Sequence, residues 1–239
     1  MRYILFILLL IGAELTAQVP IANTAHVGSS SSGLDKTDLI SWWSFDEASG
    51  DLIDQHGSDD GTVTGASYGA TGKIEDAFDF ERSGETDYIT LDAGVSVGSD
   101  DFAACGWVYL ESLDADYSFF GGNSGAFYFQ VKSGGGLCAG RAWYSECTTT
   151  TMTISYGSWC FVGVAYDQTA NSILFYANGS TESESYSTEM TVATQTLGAQ
   201  YTGDWSLDGL MDEWSFWDKA MDSDDFDDIY NSGNGMGYE

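Results

Sequence analysis

The stretch WWSFDEASGDLID, residues 42–54, decides how the rest of the chain is interpreted. Trp43 and Phe45 fall on one face and Ser44 and Asp46 on the other, which is the period of a half-buried strand. An acidic turn and a short second strand follow. Residues 210–217, LMDEWSFW, have the same aromatic and acidic character near the other end. We therefore expect a closed sandwich whose first and last strands meet.

The first residues are typical of a secretory signal peptide. MRY precedes an apolar run at residues 4–11, and Ala17 is a small residue before Gln18, so the pattern predicts cleavage after Ala17. The run is shorter than the roughly 20 residues that span a bilayer, although an uncleaved anchor is the alternative. No other segment is apolar enough to enter a membrane. We expect a secreted, extracellular or surface-attached protein and not an integral membrane protein.

Residues 18–37 are predicted to form a flexible N-terminal tether, because residues 28–33 read GSSSSG. Residues 38–239 contain no internal repeat and no second linker. This length fits one large β-sandwich as well as two small domains. Since no boundary is visible, we predict a single domain.

The charge of the chain excludes one class of partner. Thirty-seven Asp and Glu residues face 7 Lys and Arg residues, a formal net charge of −30. Such a chain repels phosphate backbones, so we expect no nucleic-acid binding. The excess acid is explained by solubility in a salty or extracellular setting, or by the binding of cations such as calcium, which prefers carboxylate and carbonyl oxygens.

Four cysteines behind a signal peptide predict two disulfides, for which three pairings are possible. Cys138 and Cys147 flank eight residues and could face each other across a hairpin, which would leave Cys105 and Cys160. No CxxC pair or histidine cluster suggests zinc.

Short apolar runs separated by Gly and Asp dominate the chain. The strongest strand patterns lie at residues 102–110 and 159–166, and Asn178-Gly179 is a two-residue hairpin signal. Only residues 222–230 resemble a helix, with an acidic first turn and three apolar side chains on one side. The fold class is therefore all-β, an antiparallel sandwich with one short C-terminal helix.

Seven motifs in this order resemble the laminin-G-like, concanavalin A-like lectin–glucanase family. They are Trp43–Gly50, Ala77–Phe80, Asp87–Ile89, Phe102–Val108, Trp159–Asp167, Leu174–Gly179 and Gly209–Trp214. The resemblance covers about residues 38–232 and implies a two-sheet jelly roll. This fold serves lectins, adhesion modules, hydrolases and virion proteins alike, so it does not assign a function.

The resemblance also bears on the cysteines. Pentraxins, a distantly similar branch, carry a strand cysteine where this chain has Cys105 and bond it to the strand equivalent to residues 159–166. A Cys105–Cys160 disulfide is therefore implied, although Cys160 lies a few residues earlier than the pentraxin partner.

Alternation along the last strand places Asp212 on the same face as Trp214. A buried carboxylate needs a cation or several donors, and related jelly rolls often carry a structural calcium. Glu47, Asp212 and Asp46 are accordingly predicted to hold calcium where the first and last strands meet. The alternatives are that Asp212 caps backbone amides, pairs with Arg82 or is turned outward by a bulge.

A second candidate metal site is the acidic loop that contains Asp54, Asp59 and Asp60. Its carboxylates offer the oxygen ligands that calcium takes.

A sugar-binding surface needs exposed aromatic faces. Trp143 and Tyr144 lie inside the predicted disulfide-closed hairpin, and Trp42 faces away from Trp43, so these three are the candidate ligand-binding residues. Ordinary packing of the same side chains is the alternative.

Catalysis is not expected. Retaining glycosidases use paired carboxylates about 5–5.5 Å apart, whereas Asp212 and Glu213 are adjacent and should point to opposite faces. Glu182 and Glu184 have the right parity but lack apolar strand context, and the chain has only 2 histidines.

These observations predict a calcium-stabilised, lectin-like module that binds a glycan or a glycosylated surface without catalysis. The alternative is a structural or adhesive surface protein of a virion or cell envelope, which uses the jelly roll for assembly, including homo-oligomer formation, or for host attachment.

Overall fold

The computed structural model describes residues 34–84, 87–98, 101–123, 125–141, 146–188 and 192–239. The predicted signal peptide and residues 18–33 of the predicted tether lie outside this part of the chain. Residues 34–37 are described and contact the domain: the Lys36 ammonium lies 3.7 Å from the centre of the Tyr238 ring. No helix in the described ranges is long and apolar enough to cross a membrane.

Fifteen strands, one α-helix and one 3₁₀ turn make up the described fold. In chain order they are β1 (Leu39–Trp43), β2 (Gly61–Thr64), β3 (Ser67–Thr71), β4 (Asp76–Phe80), β5 (Tyr88–Gly98), β6 (Phe102–Leu110), β7 (Tyr117–Gly121), β8 (Phe127–Val131), β9 (Gly136–Arg141), β10 (Glu146–Thr153), β11 (Trp159–Asp167), β12 (Ser172–Ala177), β13 (Ser180–Ser185), β14 (Val192–Leu197), β15 (Gly209–Trp217), α1 (Ser223–Tyr230) and the 3₁₀ turn Asn231–Gly233.

The strands form two antiparallel sheets. The first has 8 strands, in the order β13-β12-β11-β6-β15-β4-β3 with β1 also paired to β15, and the second has 7, in the order β10-β9-β8-β7-β14-β5-β2. Trp43 of β1 lies opposite Trp214 of β15, so the predicted meeting of the first and last strands is confirmed. The predicted all-β jelly-roll sandwich is confirmed as well.

Apolar side chains fill the space between the sheets, and a second apolar cluster covers the outer face of the first sheet. Helix α1 supplies part of that cover, with Phe226 and Ile229 buried and Asp222 capping its N-terminus. Gly163 of β11 makes room for the helix, because a Cβ there would lie 2.6 Å from the Phe226 ring. The part of the outer face that lies under helix α1 is therefore not free to bind a ligand.

The cysteines follow one of the two predicted pairings. Cys138 and Cys147 are bonded across the β9–β10 hairpin, with Cα atoms 5.8 Å apart. The Cys105–Cys160 disulfide is wrong, because both thiols are free and buried. Cys105 lies opposite Gly163 and Cys160 opposite Val108, and their side chains belong to the two different apolar clusters. The register and the opposite faces of the sheet keep the two sulfurs apart.

A bulge in β15 corrects the predicted parity of the last strand. The register with β6 shifts between Asp212 and Ser215, and Glu213 has a left-handed φ of 51°. Such a bulge adds one residue and exchanges the two faces of the strand. Met211 and Trp214 consequently both point into the core between the sheets. Asp212 shares the outer face with Trp107, its partner in register.

Candidate functional site

Asp212 receives backbone hydrogen bonds, as one of the alternatives to metal binding supposed. The side chain is fully buried, and its Oδ2 accepts from the amides of Lys73 at 2.7 Å and Ile74 at 2.8 Å. Oδ1 is buried and makes no hydrogen bond within the described residues. Burial raises the pKa of Asp212 to about 8. The carboxyl therefore holds the 73–74 turn against β15.

The other predicted calcium ligands do not converge on Asp212. Asp46 accepts from the amide of Asp76 at 2.9 Å, and Glu47 accepts from the amide of Ile53 at 3.0 Å, inside its own loop. In the described part of the chain, the group of three carboxylates whose ligand oxygens all lie within 4.8 Å of one another is Glu81, Glu111 and Asp208. The predicted set thus does not present the converging oxygens that calcium requires. Calcium binding itself stays a prediction.

Glu213 is the acid at this place that sequence reasoning missed. The bulge buries it beside Asp212, and its Oε2 accepts a hydrogen bond from the indole Nε1 of Trp42. Burial raises the pKa of Glu213 to about 8, and the charges of Asp212 and Asp46 act in the same direction. The expectation that the two adjacent acids point to opposite faces of a regular strand is therefore wrong.

A pocket of about 380 Å³ lies beside these acids, where the first strand meets the chain's last residues. Asp46, Glu75 and Glu213 are among its lining residues, together with Tyr238 and Glu239. Lys36 donates to the Glu239 carbonyl oxygen. The pocket is thus acidic and polar, and anions are unfavourable in it.

The acidic loop is organised by its own amides. Asp54 Oδ1 accepts from the amides of Trp42, His56 and Gly57 at 2.9–3.1 Å, and its Oδ2 from that of Asp59 at 3.1 Å. Asp60 Oδ1 accepts from the Asp54 amide at 2.9 Å. Asp59 also caps backbone amides, because its Oδ1 accepts hydrogen bonds from the amides of Ala93 and Gly94. This arrangement caps backbone groups and explains why a loop that resembles a metal site needs its carboxylates.

The predicted sugar-binding residues have different outcomes. Trp42 was expected to be exposed, and this is wrong: its side chain is fully buried. Trp42 does face away from Trp43. That face is covered by helix α1 and by Tyr238, whose ring centre lies 6.1 Å from that of Trp42. Trp143 and Tyr144 lie outside the described residues.

Trp205 is an exposed aromatic residue that sequence reasoning did not single out. It is 42% exposed and has a left-handed φ of 50°, which is uncommon for a bulky side chain. Hydrogen bonds fix the loop around it: Ser118 donates to the Trp205 carbonyl at 2.9 Å, and Leu207 donates to that of Gly198 at 2.8 Å. Within the loop, Gln200 donates to Asp204 at 2.9 Å. The indole therefore sits on a defined platform.

The loop of Trp205 belongs to one end of the sandwich. Gly209, the first residue of β15, lies opposite both Leu110, the last residue of β6, and Phe80, the last of β4. The segment before β11 meets the same end, because Gly157 donates to the Leu110 carbonyl at 2.8 Å. That segment carries Tyr156, which is 62% exposed. We call residues 81–84, 111–116, 154–158 and 198–208 the Trp205 end.

Carboxylates accompany these aromatic rings. Glu81, Glu111 and Asp208 form the group described above, and burial, followed by the neighbouring charges of Asp79, Glu81 and Asp208, raises the pKa of Glu111. Asp208 Oδ2 accepts from the Ser112 hydroxyl at 3.1 Å. Ring faces for stacking and carboxylate oxygens that accept hydroxyl hydrogens are the groups that recognise a polyhydroxylated ligand.

Residues 83–225 match the sequence profile of the concanavalin A-like lectin/glucanases superfamily, laminin-G type. The chain belongs to this superfamily. Comparison with curated protein sequences gives no significant match.

Solved structures of other proteins superpose on most of the chain. Domain 4 of AbnA, a GH43 extracellular arabinanase from Geobacillus stearothermophilus in complex with arabinotriose, has a TM-score of 0.63 and 23% sequence identity over 83% of this chain and 98% of that domain. The binding domain of Paraclostridial Mosquitocidal Protein 1 has a TM-score of 0.66 and 14% identity over 83% of this chain and 53% of that one. Trypanosoma rangeli sialidase, in complex with sialic acid, has a TM-score of 0.64 and 11% identity over 84% of this chain and 34% of the enzyme. At such identities the likeness concerns the fold.

Proposed function

We propose that this superfamily member is a secreted, non-catalytic carbohydrate-binding module and that the Trp205 end is its binding site. The observation that carries the proposal is Trp205 itself, 42% exposed with a φ of 50°. A non-glycine residue held in this region costs of order 1–3 kcal/mol, and such strain clusters at functional sites. An exposed indole gains little apolar burial in return, so a ligand that stacks on it accounts for the conformation.

The structural neighbours support carbohydrate as the first ligand class to test. The arabinanase domain, which this chain matches over 98% of the domain's length, was solved with arabinotriose. A stacking tryptophan beside carboxylates, as at Trp205, is compatible with an oligosaccharide of that size.

The non-catalytic part of the proposal is supported by the engagement of the buried acids. Asp212 holds the amides of Lys73 and Ile74, and Glu213 holds the Trp42 indole. A general acid or base must reach the proton that it transfers, and these two carboxyls instead reach groups of the fold.

The test is a glycan-binding measurement on the full secreted chain. Trp205→Gly removes the indole while suiting the positive φ, so it should fold at least as well as the wild type. We expect it to lose roughly tenfold or more in saccharide affinity, since an interface tryptophan commonly contributes more than about 1.4 kcal/mol. Ile53→Ala removes an apolar side chain of 41% exposure elsewhere and should bind like the wild type.

Two results would contradict the proposal. Unchanged affinity of Trp205→Gly would remove the Trp205 end as the site. The absence of binding by the wild type to any saccharide, with arabinotriose included, would remove the lectin function and leave the structural or adhesive alternative.

A further inference from the structure

We infer that the Trp205 end selects uncharged oligosaccharides over anionic ones, with Glu81, Glu111 and Asp208 as the specificity-determining side chains. This inference rests on the proposed function and adds the class of ligand. It starts from the order of three neighbouring strands, β4, β15 and β6, in the first sheet.

The three carboxylates form one row across these strands. Gly209 lies opposite both Phe80 and Leu110, and Glu81, Glu111 and Asp208 are the residues next to those three positions, on the loop side. Glu111 donates its amide to the Asp208 carbonyl at 2.9 Å, which ties the row together. The ligand oxygens of the row consequently lie within 4.8 Å of one another. The strand register thus fixes the row, and its position does not depend on flexible loops.

The row and Trp205 lie at the same end of the sandwich. Asp208 and Trp205 belong to the same loop, whose return to the sheet is fixed by the bond from Leu207 to Gly198 at 2.8 Å. Glu81 and Glu111 are exposed and Asp208 is half-buried, so their oxygens remain accessible. A ligand that stacks on Trp205 and extends across this end would meet carboxylate oxygens that accept hydroxyl hydrogens, and hydrogen bonds to ionised acceptors are the stronger kind.

Arg82, the basic residue of this end, and Lys132, which lies beside it, both contact acids. Arg82 Nη1 lies 3.7 Å from Asp114 Oδ1, and Lys132 forms an ion pair with Asp116. Asp79 adds a carboxylate with a buried oxygen that makes no hydrogen bond within the described residues. An anionic sugar would approach more carboxylates than cations at this end, whereas an uncharged sugar supplies hydroxyl donors without that repulsion.

Matched ligands test the inference on the full chain. Trigalacturonate carries carboxylates that galactotriose lacks. The affinities of both trisaccharides, in the same linkage, should be measured at 20 mM and 500 mM NaCl with EDTA and, separately, with calcium. At low salt the wild type should bind the neutral trisaccharide at least tenfold more tightly. High salt should narrow this ratio, because it screens exposed charges.

Substitutions assign the selectivity to the row. Glu81→Gln/Glu111→Gln changes two exposed acids and should reduce the ratio of neutral to anionic affinity at least threefold. Adding Asp208→Asn should reduce this ratio further. If the triple variant does not fold, because Asp208 also accepts from Ser112, the double variant still decides. Asp51→Asn/Asp218→Asn/Asp228→Asn removes the same charge at exposed positions away from this end and should leave the ratio unchanged.

The outcomes separate this inference from the proposed function. Trigalacturonate binding as tight as, or tighter than, galactotriose at low salt would overturn the inference, with or without calcium. If Trp205→Gly weakened that binding, the proposed site would stand. An equal loss of selectivity in the row variants and the control triple would show a general charge effect and would also overturn the inference. Failure of every saccharide to bind would overturn both.

Discussion

Replacing Asp54 by alanine tests whether the acidic loop is held by its own amides. Asp54 is 7% exposed, and of the four amides that it accepts, those of Trp42 and Asp59 are in buried hydrogen bonds. A buried amide left without an acceptor costs about 1–3 kcal/mol, whereas exposed amides turn to water. We therefore expect Asp54→Ala to lower the free energy of unfolding by about 3 kcal/mol. For a domain of this size that is a fall of roughly 6–12 °C in Tm.

The assay is thermal unfolding followed by circular dichroism, with Asp51→Ala as the control. Asp51 is an exposed acid of the same loop, and its loss should change stability by less than about 0.5 kcal/mol. The shift of Asp54→Ala should be the same in EDTA and in calcium. Equal melting of the two variants would refute the capping role, and a shift seen only with calcium would mean that Asp54 acts through a metal.

The same comparison has a defined pH dependence. Burial alone would raise the pKa of Asp54, but the hydrogen bonds from Gly57, Ser41, Asp59 and Trp42 outweigh it and lower the pKa. A carboxylate whose pKa is lowered by folding stabilises the fold fully above its unfolded pKa, about 4. That contribution is lost as the pH falls through the lower, folded-state pKa. The difference in Tm between the wild type and Asp54→Ala should therefore be constant at neutral pH and shrink in acid.

Gly163→Ala should destabilise the protein by about 1–3 kcal/mol by pushing Phe226 and helix α1 off the first sheet, while Gly136→Ala, where a Cβ meets nothing closer than 4.0 Å, should not. Equal unfolding curves for these two variants would contradict the tight contact. Both free thiols are buried, and burial raises the pKa of Cys105 to about 12. Neither cysteine should therefore react with a thiol reagent until the protein unfolds, and alkylation without reductant should then label two cysteines by mass. If calcium binds as the sequence predicts, it should raise Tm by mass action and EDTA should reverse the rise; an unchanged curve would remove calcium from the account.

Elements that depend on local chemistry could be predicted from the sequence. The Asn178-Gly179 turn has positive φ at both residues, 48° and 86°, because these are the residues that tolerate such a turn at least cost. Helix α1 was predicted from its acidic first turn and its apolar side. The pairing of β1 with β15 was predicted from two aromatic strands at opposite ends. In each case a few neighbouring residues contain the whole signal.

Elements that depend on distant partners could not be predicted. The Asn178-Gly179 turn predicts that a strand pairs with β12, and β13 does so. The contact of β13 with the other sheet could not be predicted, because Glu182 and Glu184 lack apolar strand context: Glu182 accepts two hydrogen bonds from Thr151, at the edge of that sheet. The Trp42 indole is buried for a similar reason, as the residues that cover it come from the end of the chain. Alternation along a strand gives the face but not what lies over that face.

The bulge at Glu213 shows how one residue changes the interpretation of a site. A strict period of two placed Asp212 in the core and Glu213 outside, and it ruled out that the two acids lie together. An inserted residue in the left-handed region shifts the alternation by one position, so Met211, Trp214 and Phe216 all enter the core. Because Leu210 and Met211 are both apolar, the residues before the bulge give no sign of this shift. The charges are where the difference appears, because both acids become buried.

The distribution of exposed rings explains why the binding site is proposed at an end of the sandwich. Helix α1, Leu34 and Tyr238 cover part of the outer face of the first sheet, and Ser118, Gln130 and Cys138, which share a row on the outer face of the second, are also buried. Among the described residues, the exposed large aromatic rings are those of Tyr156 and Trp205. Both lie where the chain leaves the sheets, and the rigid strands beneath fix their position. At Trp205, Ser118 of β7 holds the backbone carbonyl while the side chain remains in solvent.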